Sequence, residues 1–128
     1  MSTVLVVEDE VLVAEDLRLI LSDAGHAVSG VVGTGAAAVA AARANPPDVT
    51  LLDIELKGPM DGIDVAEVLL AEGLGAVIFL TSHTDARTLS RLPANLAAAW
   101  LEKPFLDDDL LALVEAVMAR RVVPIHPG

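Results

Sequence analysis

Five polar positions in this chain of 128 residues are of the types that hold hard cations or receive phosphoryl groups. Glu8 and Asp9 follow the apolar run Val4–Val7. Asp53 closes the run that starts at Val49, Thr81 closes the run that starts at Ala76, and Lys103 with Pro104 follows Ala98–Glu102. Each has an ordinary explanation when taken singly. Glu8 and Asp9 could complement the dipole at a helix start, Asp53 could be a solvated strand end, Thr81 a loop-starting hydroxyl and Lys103 a surface cation. Taken together they are the parts of one reaction. Three carboxylates brought close together repel unless a cation lies among them, and a few oxygen ligands with room for water suit Mg²⁺. A carboxylate beside such an ion, with a lysine and a hydroxyl nearby, can accept a phosphoryl group, the aspartate oxygen being the nucleophile. The metal and Lys103 would offset charge on the equatorial oxygens, and Thr81 would donate a hydrogen bond to one oxygen of the product.

That chemistry requires a scaffold that brings distant residues to one rim, and the apolar patterning supplies one. Strands are expected at Thr3–Val7, Ala27–Val32, Val49–Asp53, Ala76–Thr81 and Ala98–Glu102. A helix is expected from Glu10 to Ala24, with Val13, Leu17, Ile20, Leu21 and Ala24 on one face and Gly25 ending it. Thr34 caps a helix over Gly35–Ala44 that Asn45-Pro46-Pro47 ends. Asp61 caps a helix running to Glu72 with Ile63, Ala66 and Leu70 inward. A short helix over Thr84–Leu92 stops at Pro93, and the last helix spans Asp107–Arg121 with Leu110, Leu113, Val114, Val117 and Met118 in one stripe. Strands that are each followed by a helix imply an α/β domain, a parallel sheet covered on both faces. Ligands bind such sheets outside the carboxyl ends of the strands, where all five polar positions fall.

Composition narrows the function further. Length suits one domain, over 1–121, with 122–128, which holds Pro124 and Pro127, as a flexible tail. There is no cysteine, which excludes a disulfide scaffold, a thiolate metal site and a cysteine nucleophile. Lys and Arg number 8 against 19 Asp and Glu, a net charge of −11, too acidic to neutralise nucleic-acid phosphates. The aromatics are Phe79, Trp100 and Phe105, too few for a base-stacking platform. Ala24–Ala42 carries no charged residue, but its glycines fit a strand, turn and helix better than a membrane span. No targeting segment precedes the first strand, and the expectation is a soluble, cytoplasmic chain with no membrane partner.

The segments Val4–Glu10, Leu51-Leu52-Asp53, Met60-Asp61-Gly62, Leu80-Thr81-Ser82 and Lys103-Pro104-Phe105, in this order and spacing, resemble the receiver domain of bacterial two-component response regulators. The resemblance covers essentially the whole chain. It implies a flavodoxin-like (βα)5 doubly wound sheet of strand order 2-1-3-4-5. It implies Asp53 as phosphoacceptor and Glu8, Asp9 and Asp53 as Mg²⁺ ligands, with Asp9 a more direct one than Glu8. The backbone carbonyl of Glu55 completes that set. Lys103 becomes the phosphate-pairing lysine, with a cis bond to Pro104, and Thr81 the switch hydroxyl. Trp100 falls at the switch aromatic, or is simply a strand-edge tryptophan half buried under the short helix. Phosphorylation would draw Thr81 and then Trp100 inward and change the face made by the short helix, the fifth strand and the last helix.

Some features depart from the commonest pattern of that family. The loop Leu56-Lys57-Gly58-Pro59-Met60 and the segment Asn95–Ala99 are unusual, and Trp100 is bulkier than the usual Tyr or Phe. Glu55 and His83, two positions beyond Asp53 and Thr81, either set the lifetime of the phosphoaspartate or are solvent-facing loop side chains. His26 and His126 are too distant for a histidine metal site.

The partners implied are a sensor histidine kinase or histidine phosphotransfer protein, which could dock at the exposed Leu12 and Leu19, and an unidentified output protein. Arg87, Arg91, Arg120 and Arg121 make the C-terminal side less acidic, which suits an acidic partner or a homodimer. A stand-alone receiver without an effector domain is the leading expectation, and the start at Met1 argues mildly against excision from a longer regulator. It would not be an enzyme in the turnover sense. An aspartate-nucleophile phosphohydrolase is the main rival, because Asp53-x-Glu55 resembles its DxD, though there the nucleophile sits on the first strand. A phosphate-independent receiver-like module is a further alternative. A flavin carrier needs a Ser/Thr-rich phosphate loop where this chain has Glu8-Asp9-Glu10.

Overall fold

The computed structural model describes residues 2–82, 90 and 98–122. In chain order they form β1 (Thr3–Val7), α1 (Val11–Asp23), β2 (Ala27–Val32), α2 (Gly35–Ala44), β3 (Val49–Asp53), α3 (Gly62–Ala71), β4 (Ala76–Thr81), β5 (Ala98–Glu102) and α4 (Asp107–Val122). Every strand pairing is parallel, and the sheet order is β2-β1-β3-β4-β5. All five strands fall where the apolar runs place them. The expected helix Thr84–Leu92, with Arg87 and Arg91, lies outside the described residues apart from the helical Ser90. Of the expected tail, residues 123–128 lie outside as well, and Val122 belongs to α4 instead.

Successive strand residues point to opposite faces, so each central strand feeds two cores. On one face Leu5, Val7, Leu52, Val77 and Phe79 pack against Ala38 and Ala42 of α2 and Ile63, Ala66 and Leu69 of α3. On the other, Val4, Val6, Leu51, Ile78 and Leu80 pack against Leu17, Ile20 and Leu21 of α1 and Leu110, Val114 and Val117 of α4. Burial of each large side chain contributes about 1.5–3 kcal/mol. β2 is an edge strand whose residues alternate between exposed and half-buried, so full burial of every strand does not hold there.

Helix starts and stops have local causes. Thr34 Oγ1 accepts the Ala37 N–H at 3.1 Å to cap α2. Asp61 and Asp64 form a reciprocal capping box on α3, Asp61 Oδ1 accepting from Ile63 and Asp64 N–H and Asp64 Oδ2 accepting from Asp61 N–H. Glu10 gives α1 no side-chain cap. Gly25 adopts φ +91°, a left-handed conformation that ends α1. Two details of the expected buried faces are corrected. Ala24 is exposed because α1 ends at Asp23, and in α3 Leu69 rather than Leu70 is fully buried. That helix is apolar nearly all round, so periodicity alone does not select its buried stripe.

One close approach fixes α3 relative to the sheet. A methyl group on Gly62 would overlap the Asp53 carbonyl oxygen and stand 2.7 Å from Ile54 Cα. The Gly62 N–H donates to the Ile54 carbonyl at 3.0 Å. The start of α3 thus lies directly against the end of β3.

Candidate functional site

The chain passes from β1 outward to β2 and returns to β3 on the other side of β1, so strand order reverses between β1 and β3. Beyond the carboxyl ends at that reversal an open parallel sheet leaves a crevice. Glu8 is the first residue past β1. Its N–H donates to the Val32 carbonyl at 2.9 Å, continuing the strand ladder, and its side chain is buried. Asp53 ends β3 and is 5% exposed. The next residue, Ile54, is held to the Leu80 carbonyl at 3.0 Å. Lys103 follows β5, and its N–H donates to the Thr81 carbonyl at 2.7 Å. The bond from Lys103 to Pro104 is cis, as the resemblance implies.

These backbone constraints bring the side chains together. Lys103 Nζ donates to Glu8 Oε1 at 2.8 Å and lies 3.7 Å from Asp53 Oδ2. Asp53 Oδ1 accepts the Glu55 N–H at 3.0 Å. Glu8 Oε2 accepts the Glu10 N–H at 3.3 Å, and Asp9 Oδ2 accepts the Lys57 N–H at 3.4 Å. Carboxylate oxygens of Glu8, Asp9 and Asp53 all lie within 4.8 Å of one another. Burial pushes the Glu8 carboxyl above its ordinary range; the neighbouring Asp53 adds to the rise and Lys103 reverses only part of it. Burial alone would lower the Lys103 ammonium. The hydrogen bond to Glu8 and the charges of Asp53, Glu8 and Glu10 outweigh it, and the ammonium is held above its ordinary range.

The donor set fits a small hard cation. It is all oxygen, and three carboxylates face one ammonium. Lys103 occupies Glu8 at hydrogen-bond distance, while Asp9 is half-buried on the crevice side.

Thr81 is completely buried at the end of β4. Its hydroxyl donates to Glu55 Oε1 at 3.3 Å, and the Ser82 hydroxyl donates to the same carboxylate at 3.4–3.5 Å. Trp100, opposite Phe79 in the β4–β5 register, is 43% exposed. His83 lies outside the described residues. Leu12 and Leu19 of α1 are exposed, and so is Val11. Sequence reasoning placed Glu8, Asp9, Asp53, Thr81 and Lys103 at one rim, and all five are there. It missed Ser82, whose neighbour Thr81 was the only signal, and the main-chain donors of Glu10 and Lys57. A main-chain N–H is the same in every residue type and carries no sequence signal.

Comparison with known proteins points the same way. Residues 4–115 match the response regulator receiver domain family. The chain is 32% identical over 117 residues to the transcriptional regulatory protein PdtaR of Mycobacterium tuberculosis H37Rv, covering 91% of this chain and 57% of that one. It is 37% identical over 117 residues to the DNA-binding response regulator MtrA of Mycolicibacterium paratuberculosis, covering 91% of this chain and 51% of that one. The chain therefore spans between half and three-fifths of the length of these curated relatives. Among solved structures, the signal receiver domain of a modulated diguanylate cyclase from Desulfovibrio desulfuricans G20 superposes with a TM-score of 0.88. The two share 35% identity over 95% of this chain and 97% of that one.

Proposed function

The chain belongs to the response regulator receiver domain family of two-component signalling, and from that premise we propose that Asp53 takes a phosphoryl group from a phosphohistidine. The observation that carries the reading is the single Lys103 ammonium set between buried Glu8 and Asp53, with Asp9 alongside. A carboxylate oxygen of Asp53 attacks phosphorus in line. The new O–P bond forms as the N–P bond of the donor breaks, and the imidazole leaves with that electron pair and takes up a proton. Glu55 N–H and Lys103 orient the Asp53 carboxylate before attack. Lys103 then pairs with the phosphoryl oxygens, and its held-up ammonium stays charged throughout. The residues that would hold Mg²⁺ are Asp9, Asp53 and the Glu55 carbonyl, with Glu8 behind them. The ion, when bound, offsets negative charge on the transferring group.

The donor is a sensor histidine kinase or a histidine phosphotransfer protein that reaches the crevice beside the exposed start of α1, where Val11 and Leu12 are 80% and 85% exposed. Phosphorylation draws Thr81 toward the phosphoryl group and Trp100 inward from its partly exposed position, altering the β5–α4 face for an output partner or a second copy of the chain. The unit that does this runs from residue 1 through α4. It acts as a phosphoacceptor that loses its phosphoryl group slowly rather than as a turnover catalyst. Glu55 and His83 set that lifetime; unchanged dephosphorylation in Glu55→Ala and His83→Ala would remove this part of the reading.

The test is intact mass after incubation with Mg²⁺ and acetyl phosphate, for wild type and Asp53→Asn. The expected outcome is a gain of one phosphoryl group in wild type and none in the variant. No gain in either, at saturating Mg²⁺, would favour a phosphate-independent binding module.

A further inference from the structure

We infer that the Glu55 side chain is a latch on Thr81, occupying the hydroxyl that a phosphoryl group on Asp53 must recruit; the inference rests on the phosphoacceptor reading. Glu55 is tied to the site twice. Its main-chain N–H holds Asp53 Oδ1 at 3.0 Å. Its carboxylate crosses to the end of β4 and accepts from the Thr81 hydroxyl at 3.3 Å and the Ser82 hydroxyl at 3.4–3.5 Å. An exposed glutamate on a loop is best solvated by water, so its gathering of two hydroxyls is a specific arrangement. Thr81 has no exposed surface, so its hydroxyl is shielded from bulk water.

A hydroxyl has one proton to donate. Donation to Glu55 and donation to a phosphoryl oxygen exclude each other. The protein with Thr81 latched is therefore the state that cannot complete the phosphoryl site, and only the unlatched fraction is competent. Apparent affinity for a phosphoryl group or its mimic falls by that fraction. The contacts are long for hydroxyl–carboxylate bonds, so the latch is weak and releasable. Charge adds direction. A phosphoryl group on Asp53 places negative charge near the Glu55 carboxylate and pushes it off, freeing Thr81 as the group that needs it arrives. Glu55 is thus a positioning residue acting through Thr81. It sets how far the unphosphorylated protein is held from the switched state.

The experiment is a beryllofluoride titration in Mg²⁺, followed by amide shifts, on wild type, Glu55→Ala, Thr81→Ala and the double variant. Loss of the latch is expected to lower the half-saturating concentration about five-fold in Glu55→Ala, the size one modest hydrogen bond supports. Glu55→Gln keeps a carbonyl acceptor and is expected to fall between wild type and Glu55→Ala. In the Thr81→Ala background, removing Glu55 is expected to give a clearly smaller gain, because the latch has no hydroxyl to hold and only the relief of charge repulsion remains. An equal gain in both backgrounds would mean that Glu55 acts by charge on the phosphoryl group alone, and would overturn the latch. A second measurement needs no mimic. Three-bond couplings to the Thr81 methyl carbon report its χ1 populations, which Glu55→Ala is expected to redistribute in the untreated protein. If wild type binds no beryllofluoride, the phosphoacceptor reading fails. The latch is then decided by χ1 alone: redistribution keeps it, and unchanged populations overturn it.

Discussion

Lys103 is the residue on which the site's charge balance turns. Its ammonium is the partner of a Glu8 side chain with no solvent exposure, and it is itself about one-fifth exposed (21%). Replacing it with Met leaves Glu8 as a buried carboxylate without its ion pair. The expected cost in metal-free buffer is about 2–4 kcal/mol, measured by urea unfolding. The pH dependence has a definite sign. Glu8's pKa is raised in the fold, so its stabilisation is complete below the ordinary value of 4.5 and is lost as pH rises through the elevated folded value. Lys103 opposes that loss by lowering the Glu8 pKa. Its own contribution is present up to its ordinary value of 10.5 and is lost only above it, outside this window. Lys103→Met is therefore expected to lose more stability than wild type as pH rises above the ordinary Glu8 value of 4.5. A gap between the two proteins that stays constant over that range would show that Glu8 ionisation is not the cause. Glu55 illustrates what residue types alone do not reveal. Its position after Asp53 marked it as a site neighbour, but its carboxylate reaches Thr81 only because the ends of β3 and β4 are side by side.

At the scale of elements, α3 holds the end of β3 in place. The start of the helix is packed against the Asp53 carbonyl and Ile54 Cα with no room for a side chain. Gly62→Ala is expected to cost about 1–3 kcal/mol by overpacking, and also to slow phosphoryl uptake, because the displaced backbone carries Asp53. Asp61→Ala, one residue earlier, removes the capping box instead. It is expected to cost about 1 kcal/mol in urea unfolding while leaving the initial rate of phosphoryl uptake near wild type. Equal effects of the two variants on uptake would contradict this separation. Strand boundaries were legible because each apolar run stops at a polar residue or a turn signal: Asp53 after Leu52, Thr81 after Leu80, Gly25 before β2. Helix ends were legible where a capping side chain stands, as at Thr34 and Asp61. The buried face of α3 was not, because Leu69 and Leu70 are adjacent and equally apolar and only packing against the sheet and α2 decides between them.

At the scale of the molecule, the sheet separates two hydrophobic layers, and the carboxylates stand at its rim. A cation bound there stabilises the native state by linkage, by about 2.7 kcal/mol when its free concentration is a hundred times its dissociation constant. The melting temperature of wild type is therefore expected to rise with Mg²⁺, and that of Asp9→Asn to rise much less. An equal rise in both would place the ion elsewhere. Among the described residues no helix is long and apolar enough to cross a membrane. The whole-molecule arrangement was largely legible, since alternating strands and helices leave few ways to cover a parallel sheet. The expected helix Thr84–Leu92 lies outside the described residues apart from Ser90. The contact between Glu8 and Lys103 spans 95 positions of the chain. During synthesis the acids that follow β1 leave the ribosome long before their counter-charge exists, and a chain halted before residue 103 carries Asp53 without the cation beside it. On the phosphoacceptor reading, competence therefore depends on the pairing of β5 with β4, which sets Lys103 beside Asp53, and a copy without that pairing lacks the cation at the site.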